Sequence, residues 1–190
     1  MLLLSPALMS QDYTYRKAIG LTASLPWINN YSYYSYDLQK RASKSGFMGL
    51  GGAVFYQTKE NKFSLNYGFT GSLPAPMGPI DFGKDAPRTN IISNFFEGLF
   101  HRRLSDRISL IGGLNLVKYR FDFISNADSI PNYSMYDDTF GLTIGGQYHF
   151  TEVFSLALFY RPAFINENMK IYRHLVSLDA RFDINLWKRN

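Results

Sequence analysis

Lys62-Phe63-Ser64-Leu65-Asn66-Tyr67-Gly68-Phe69-Thr70-Gly71-Ser72 is the stretch that decides the fold of this chain. Phe63, Leu65, Tyr67 and Phe69 alternate with Ser64, Asn66, Gly68 and Thr70, so a strand here carries one apolar face and one small or polar face. The tight polar turn Thr58-Lys59-Glu60-Asn61 precedes it and makes it the second arm of a hairpin. Outward from this hairpin the same alternation recurs, giving strands over residues 17–27, 47–57, 62–72, 91–103, 108–123, 140–150, 154–164 and 174–187.

In the first of these, Ile19, Leu21, Ala23, Leu25 and Trp27 oppose Ala18, Gly20, Thr22 and Ser24; in the last, Val176, Leu178, Ala180, Phe182, Ile184 and Leu186 form the apolar set. The fifth alternates Leu110, Gly112, Leu114 and Leu116, and then its apolar set moves to Tyr119, Phe121 and Phe123. A bulge near Val117, or a strand that continues beyond the membrane, accounts for the slip. The connections fall into two classes, about three to four residues after strands two, four and six and about nine to nineteen after the others. That combination predicts an all-β, eight-stranded antiparallel up-and-down transmembrane β-barrel with short periplasmic turns, long extracellular loops and both termini periplasmic.

Composition agrees. Phe (16), Tyr (14) and two Trp make 17% of 190 residues, enough to furnish an aromatic girdle at each lipid boundary. With a mean hydropathy of −0.17 and no run of 18 apolar residues, a helical membrane span is excluded. The absence of cysteine removes disulfides, thiol catalysis and Cys-ligated metals. A net charge of +5 comes from scattered basic residues rather than a stripe, which argues against nucleic acid as a partner. Residues 1–11, with Leu2-Leu3-Leu4 and Ala7-Leu8-Met9-Ser10, read as the remnant of a secretory signal, leaving 12–190 as one barrel domain.

The architecture and the closing segment Leu175-Val176-Ser177-Leu178-Asp179-Ala180-Arg181-Phe182-Asp183-Ile184-Asn185-Leu186-Trp187 resemble the small eight-stranded bacterial outer-membrane β-barrel proteins. The resemblance implies residence in a Gram-negative outer membrane and insertion by the barrel assembly machinery, which reads an aromatic-ended last strand. Lys188-Arg189-Asn190 follow the aromatic here, where that group usually stops at it.

Eight strands enclose space for packing, not for a pore, so a general porin is not expected. Glu97, Arg161, Asp179, Arg181 and Asp183 fall on inward positions, where they must pair; they are expected to form a structural salt-bridge network, with Arg161 in diagonal reach of Asp179. The Gly51-Gly52, Gly112-Gly113 and Gly145-Gly146 pairs mark tight curvature or room for a large lumen neighbour. Tyr31, Tyr33, Tyr34 and Tyr36, interleaved with Ser and Asn, compose an extracellular recognition loop or else an extension of strands one and two above the membrane. Lys40, Arg41 and Lys44 follow as a solvated basic group suited to anionic lipid head groups. Pro74, Pro76, Pro79 and Pro87 stiffen the second loop.

These features point to a non-enzymatic, structural or binding protein of the cell surface, with outer-membrane lipid, lipopolysaccharide or an envelope protein as partner and no cofactor or metal. A lipid A-modifying enzyme is one alternative, with His174, Ser177 and Glu167 as its nearest approach to a catalytic trio; His174 and Ser177 are three apart and would point to opposite faces. A narrow passage for small apolar solutes is the other.

Overall fold

The structure, a computed structural model, describes residues 17–35, 40–47, 49–72, 89–123, 133–166 and 174–189. Residues 1–11, Tyr36, the four prolines of the second loop and Glu167 lie outside them. The described strands are β1 (Lys17–Ser35), β2 (Lys40–Phe47), β3 (Gly49–Thr58), β4 (Asn61–Gly71), β5 (Thr89–Arg103), β6 (Ile108–Phe123), β7 (Tyr133–His149), β8 (Phe154–Asn166) and β9 (His174–Arg189). Every pairing between them is antiparallel, β1 is flanked by β2 and β3, consecutive strands from β3 onward are neighbours, and β1 also pairs with β9, which closes the sheet. The upper half of β1 pairs with β2 and its lower half with β3, so these two segments share one position in the wall and the barrel has eight.

The wall sorts residues as the alternation requires. Leu21, Val54, Phe63, Leu65, Leu114 and Ile184 are exposed on the outside, while Thr22, Ser64, Asn66, Asn115, Thr143 and Asp183 are buried inside. An apolar exterior of this extent is stable against hydrocarbon and not against water. At the lower edge of the band the rings join into a girdle, with Phe63 against Phe100 at 5.0 Å and Tyr148, Phe150, Phe154 and Phe182 in a chain of contacts at 4.9, 5.4 and 5.1 Å. Below the girdle the short turns are pinned by backbone bonds such as Leu104 N to Ile108 O (2.9 Å) and Phe150 N to Phe154 O (3.0 Å).

Above the band the structure departs from the sequence-based expectation. No bulge interrupts β6: its pairing with β5 and β7 runs unbroken from Ile108 to Phe123. Val117, Tyr119 and Phe121 are inside, and Lys118 and Arg120 are outside. The chemistry of the two faces inverts while the register continues, because the outer face has left hydrocarbon and meets water. Residues 133–139, expected in a loop, belong to β7, and the expected first loop is largely the β1–β2 hairpin.

In β1 a true register shift does occur, between Pro26 and Ile28. Pro26 has no N–H to give the ladder, and Trp27 and Ile28 both face outward. The shift turns Asn29 and Tyr31 inward. The glycine pairs have a related logic. A Cβ on Gly51 would lie 2.5 Å from Ser24 Oγ, one on Gly145 would lie 2.5 Å from the Leu158 carbonyl oxygen, and one on Gly113 would collide with the Gly98 carbonyl. Gly112 and Gly146 face open space.

Candidate functional site

The interior has two tiers. The lower tier is polar and charge-balanced, with Lys62, Arg161 and Arg181 against Glu97, Asp179 and Asp183, all buried. Arg161, from β8, reaches across the lumen to β5, where Nε lies 2.6 Å and Nη2 3.3 Å from the two Glu97 carboxylate oxygens. Its Nη1 donates to Ser177 Oγ at 2.6 Å, and Ser177 in turn donates to Asp179 at 2.7 Å. The guanidinium sits between the rings of Phe95 and Phe159, 4.7 Å from each centroid. Thr143 donates to Glu97 at 2.6 Å and Asn115 to Thr143 at 2.9 Å, so the carboxylate is held from two sides.

The sequence-expected pair of Arg161 and Asp179 exists at 4.0 Å, but the shorter contact is the transverse one to Glu97. Arg161 stands opposite Leu175, where the sequence spacing places it opposite Ser177 or Leu178. Arg181 donates from Nη2 to Asn66 at 3.1 Å, a second bond across the lumen. Lower down, Lys62 binds Asp183 at 2.7 Å and Thr22 donates to the same carboxylate. Lys62 is missing from the sequence-based set, although the alternation through Phe63 gives it the inward face of Ser64 and Asn66.

His101, Gln147, Ser64 and Ser155 form a hydrogen-bonded string beside it. The cavity left at the lower mouth, between Lys62, His101, Gln147, His149 and Asp183, is about 20 Å³. That admits one water-sized group and no solute.

The upper tier is a plug of apolar side chains: Tyr31, Ile91, Phe95, Val117, Tyr119, Phe121 and Leu175. Tyr31 and Tyr119 pack edge to face with centroids 6.4 Å apart, and the Tyr31 hydroxyl bonds Thr70, which bonds Ser93 at 3.1 Å. Tyr31 is therefore not on a recognition loop. It lies 2% exposed inside the barrel because the Pro26 shift changed its face.

Tyr33 and Tyr34 lie in β1 opposite Ala42 and Arg41, and Lys40 pairs with Ser35, all in the β1–β2 hairpin. Lys44 is half-buried in β2 opposite Tyr31. On the outside of the upper tier Lys118 meets Asp138 at 3.1 Å and Arg120 meets Asp122 at 2.9 Å. Hydrogen bonds from Ser134 (2.6 Å) and Arg120 hold the Asp122 carboxyl below the usual carboxylate range.

Of the expected trio, Glu167 lies outside the described residues, and Ser177 and His174 have separate partners. Ser177 is buried in the lumen on Arg161 and Asp179, whereas His174 stacks on Tyr160 and its Nδ1 shares a 2.6 Å hydrogen bond with the Tyr160 hydroxyl.

Among solved structures the chain is similar to Neisserial surface protein A, with a TM-score of 0.55 at 12% identity, covering 87% of this chain and 97% of that one. Ail, the attachment invasion locus protein of Yersinia pestis, gives 0.54 at 12% identity over 90% of this chain and all (100%) of its own. Ail has also been crystallised with the heparin analogue sucrose octasulfate, and that structure gives 0.54 at 10% identity over 89% and 99%. The chain has the fold of the small outer-membrane barrels. The likeness covers nearly the whole of each chain. No protein-family model matches this chain. A search of curated proteins finds no match.

Proposed function

We propose that this barrel is a non-enzymatic protein of the bacterial outer membrane that works through its outer end as a binding or structural element, with lipopolysaccharide or another anionic envelope partner. The observation that carries this reading is the lumen. Arg161 and Glu97 clasp hands across it, and an apolar plug lies above them. A barrel blocked twice offers its strand extensions and connections to partners rather than its interior. Lys40 and Arg41 lie on the β1–β2 hairpin, beyond the apolar band, where the phosphates of an outer-leaflet glycolipid would stand, while Lys44, opposite Tyr31, shares its inward face.

The experiment is binding of purified lipopolysaccharide to the folded protein, compared with Lys40→Gln/Arg41→Gln. Two lost cationic contacts at about 1 kcal/mol each predict a loss of roughly 30-fold in affinity at low salt. Equal binding by both proteins overturns the assignment to this hairpin.

A further inference from the structure

We propose that the short-turn end of the barrel carries a binding site for an anionic phospholipid head group, built on Lys17, Lys59 and Arg189. Away from the β1–β2 hairpin with Lys40, Arg41 and Lys44, the upper-end cations Lys118 and Arg120 are each matched by an aspartate. At the lower rim stand Lys17, Lys59, Arg102, Arg103, Arg107, Lys188 and Arg189, against the acids Glu60, Asp106 and Glu152.

Several of these cations are engaged. Arg102 bridges to Glu60 at 2.8 Å, Lys188 to Glu152 at 3.8 Å, and Arg103 donates to the carbonyls of Ser105 and Asp106. Lys17, Lys59 and Arg189 have no ion pair among the described residues, and they are neighbours. Lys17 pairs with Arg189 on one side and with Thr58, next to Lys59, on the other. Like charges directly opposite each other on adjacent strands repel. A phosphate between them converts the repulsion into charge-assisted contacts.

The surface just above the cations identifies the anion as a lipid. Ile19, two residues from Lys17 on the same face, pairs with Trp187 on β9 and Tyr56 on β3, and all three are exposed at 48%, 46% and 38%. An apolar residue flanked by an indole and a phenol suits the glycerol and first methylenes of a membrane lipid, with the cations one layer closer to water. A soluble anion would use the cations and leave this shelf idle.

Quenching of Trp187 by brominated lipids tests the site. The chain has two tryptophans, so a Trp27→Phe background leaves Trp187 as the reporter. The full chain is folded into phosphatidylcholine vesicles containing an equal, small fraction of brominated phosphatidylglycerol or brominated phosphatidylcholine. We expect phosphatidylglycerol to be favoured about fivefold or more beside Trp187 at low salt. The preference falls toward unity in 0.5 M salt and in Lys17→Gln/Lys59→Gln/Arg189→Gln, which retains the faster mobility of an unboiled barrel on a gel.

Equal quenching by the two lipids in the parent protein, or a preference that survives the triple substitution, overturns the proposal. If a soluble polyanion shifts Trp187 emission while the two lipids quench alike, the patch serves a water-borne partner instead. The β1–β2 hairpin lies at the other end of the barrel, so this result is independent of the outcome with lipopolysaccharide.

Discussion

Arg161 shows how one side chain fixes the character of the interior. It is fully enclosed, between two rings, and its charge is answered by Glu97 on the far wall and Asp179 nearby. Arg161→Met leaves the Glu97 carboxylate without its cation and is expected to destabilise the barrel by about 3–5 kcal/mol in urea titrations. Arg161→Met combined with Glu97→Leu should cost less than the sum of the two single changes, since the Glu97 charge goes together with its partner and only the weaker contact to Asp179 is lost. Additive losses would mean that the transverse pair is not coupled.

Glycine makes a sharper contrast one residue wide. Gly113→Ala forces a methyl into the Gly98 carbonyl and the Leu99 side chain, whereas Gly112→Ala enters open space. Folding yield and urea midpoint should drop for the first, and for the second stay level or rise by about 0.4–1 kcal/mol through reduced freedom of the unfolded chain. Apart from Lys62, the acidic and basic lumen residues were legible one by one, because alternation assigns a face. The bond between Arg161 and Glu97 was not, because sequence spacing predicts neighbours on adjacent strands and is silent about partners across a lumen.

Among the elements, β4 and β9 are read correctly from alternation, since hydrocarbon outside and polar groups inside hold along nearly their whole length. β6 is where that reasoning fails. Apolar was equated with outward, and this holds only while the outer face touches lipid. Above Leu116 the same strand in the same register places Tyr119 and Phe121 inside and Lys118 and Arg120 outside.

Paired substitutions locate the changeover. Leu114→Arg puts a charge on the lipid face and should cost about 2–4 kcal/mol near the midplane. Lys118→Leu, four residues on, should be nearly neutral, and Phe121→Ala should cost about 3–5 kcal/mol by opening a hole in the plug. If Leu114→Arg and Lys118→Leu shift unfolding equally, the hydrocarbon boundary does not fall between them. The register shift at Pro26 was equally hidden: a proline in a strand was visible, but not which way the chain would turn after it.

At the scale of the molecule the two tiers make opposite demands on solvent, and the barrel satisfies both with one continuous sheet. Planar-bilayer recording of the folded protein should show no single-channel steps above baseline. Arg161→Ala/Tyr119→Ala, which thins both obstructions, is the variant in which small conductances would first emerge. A steady conductance in the parent protein would show that the clasp and the plug open in the membrane. Heat-modifiable mobility from an outer-membrane fraction checks closure and address together.

The inversion of polarity in β6 also acts as a waterline. A barrel that rose or sank by two residues would immerse Lys118 and Asp138 in oil or lift Leu114 into water, while the neighbouring strands faced similar mismatches. Its draught is therefore set, and a bilayer of another thickness must deform around it. Membranes of graded acyl length would be expected to bend to this protein, drawing lipids of matching length to its wall.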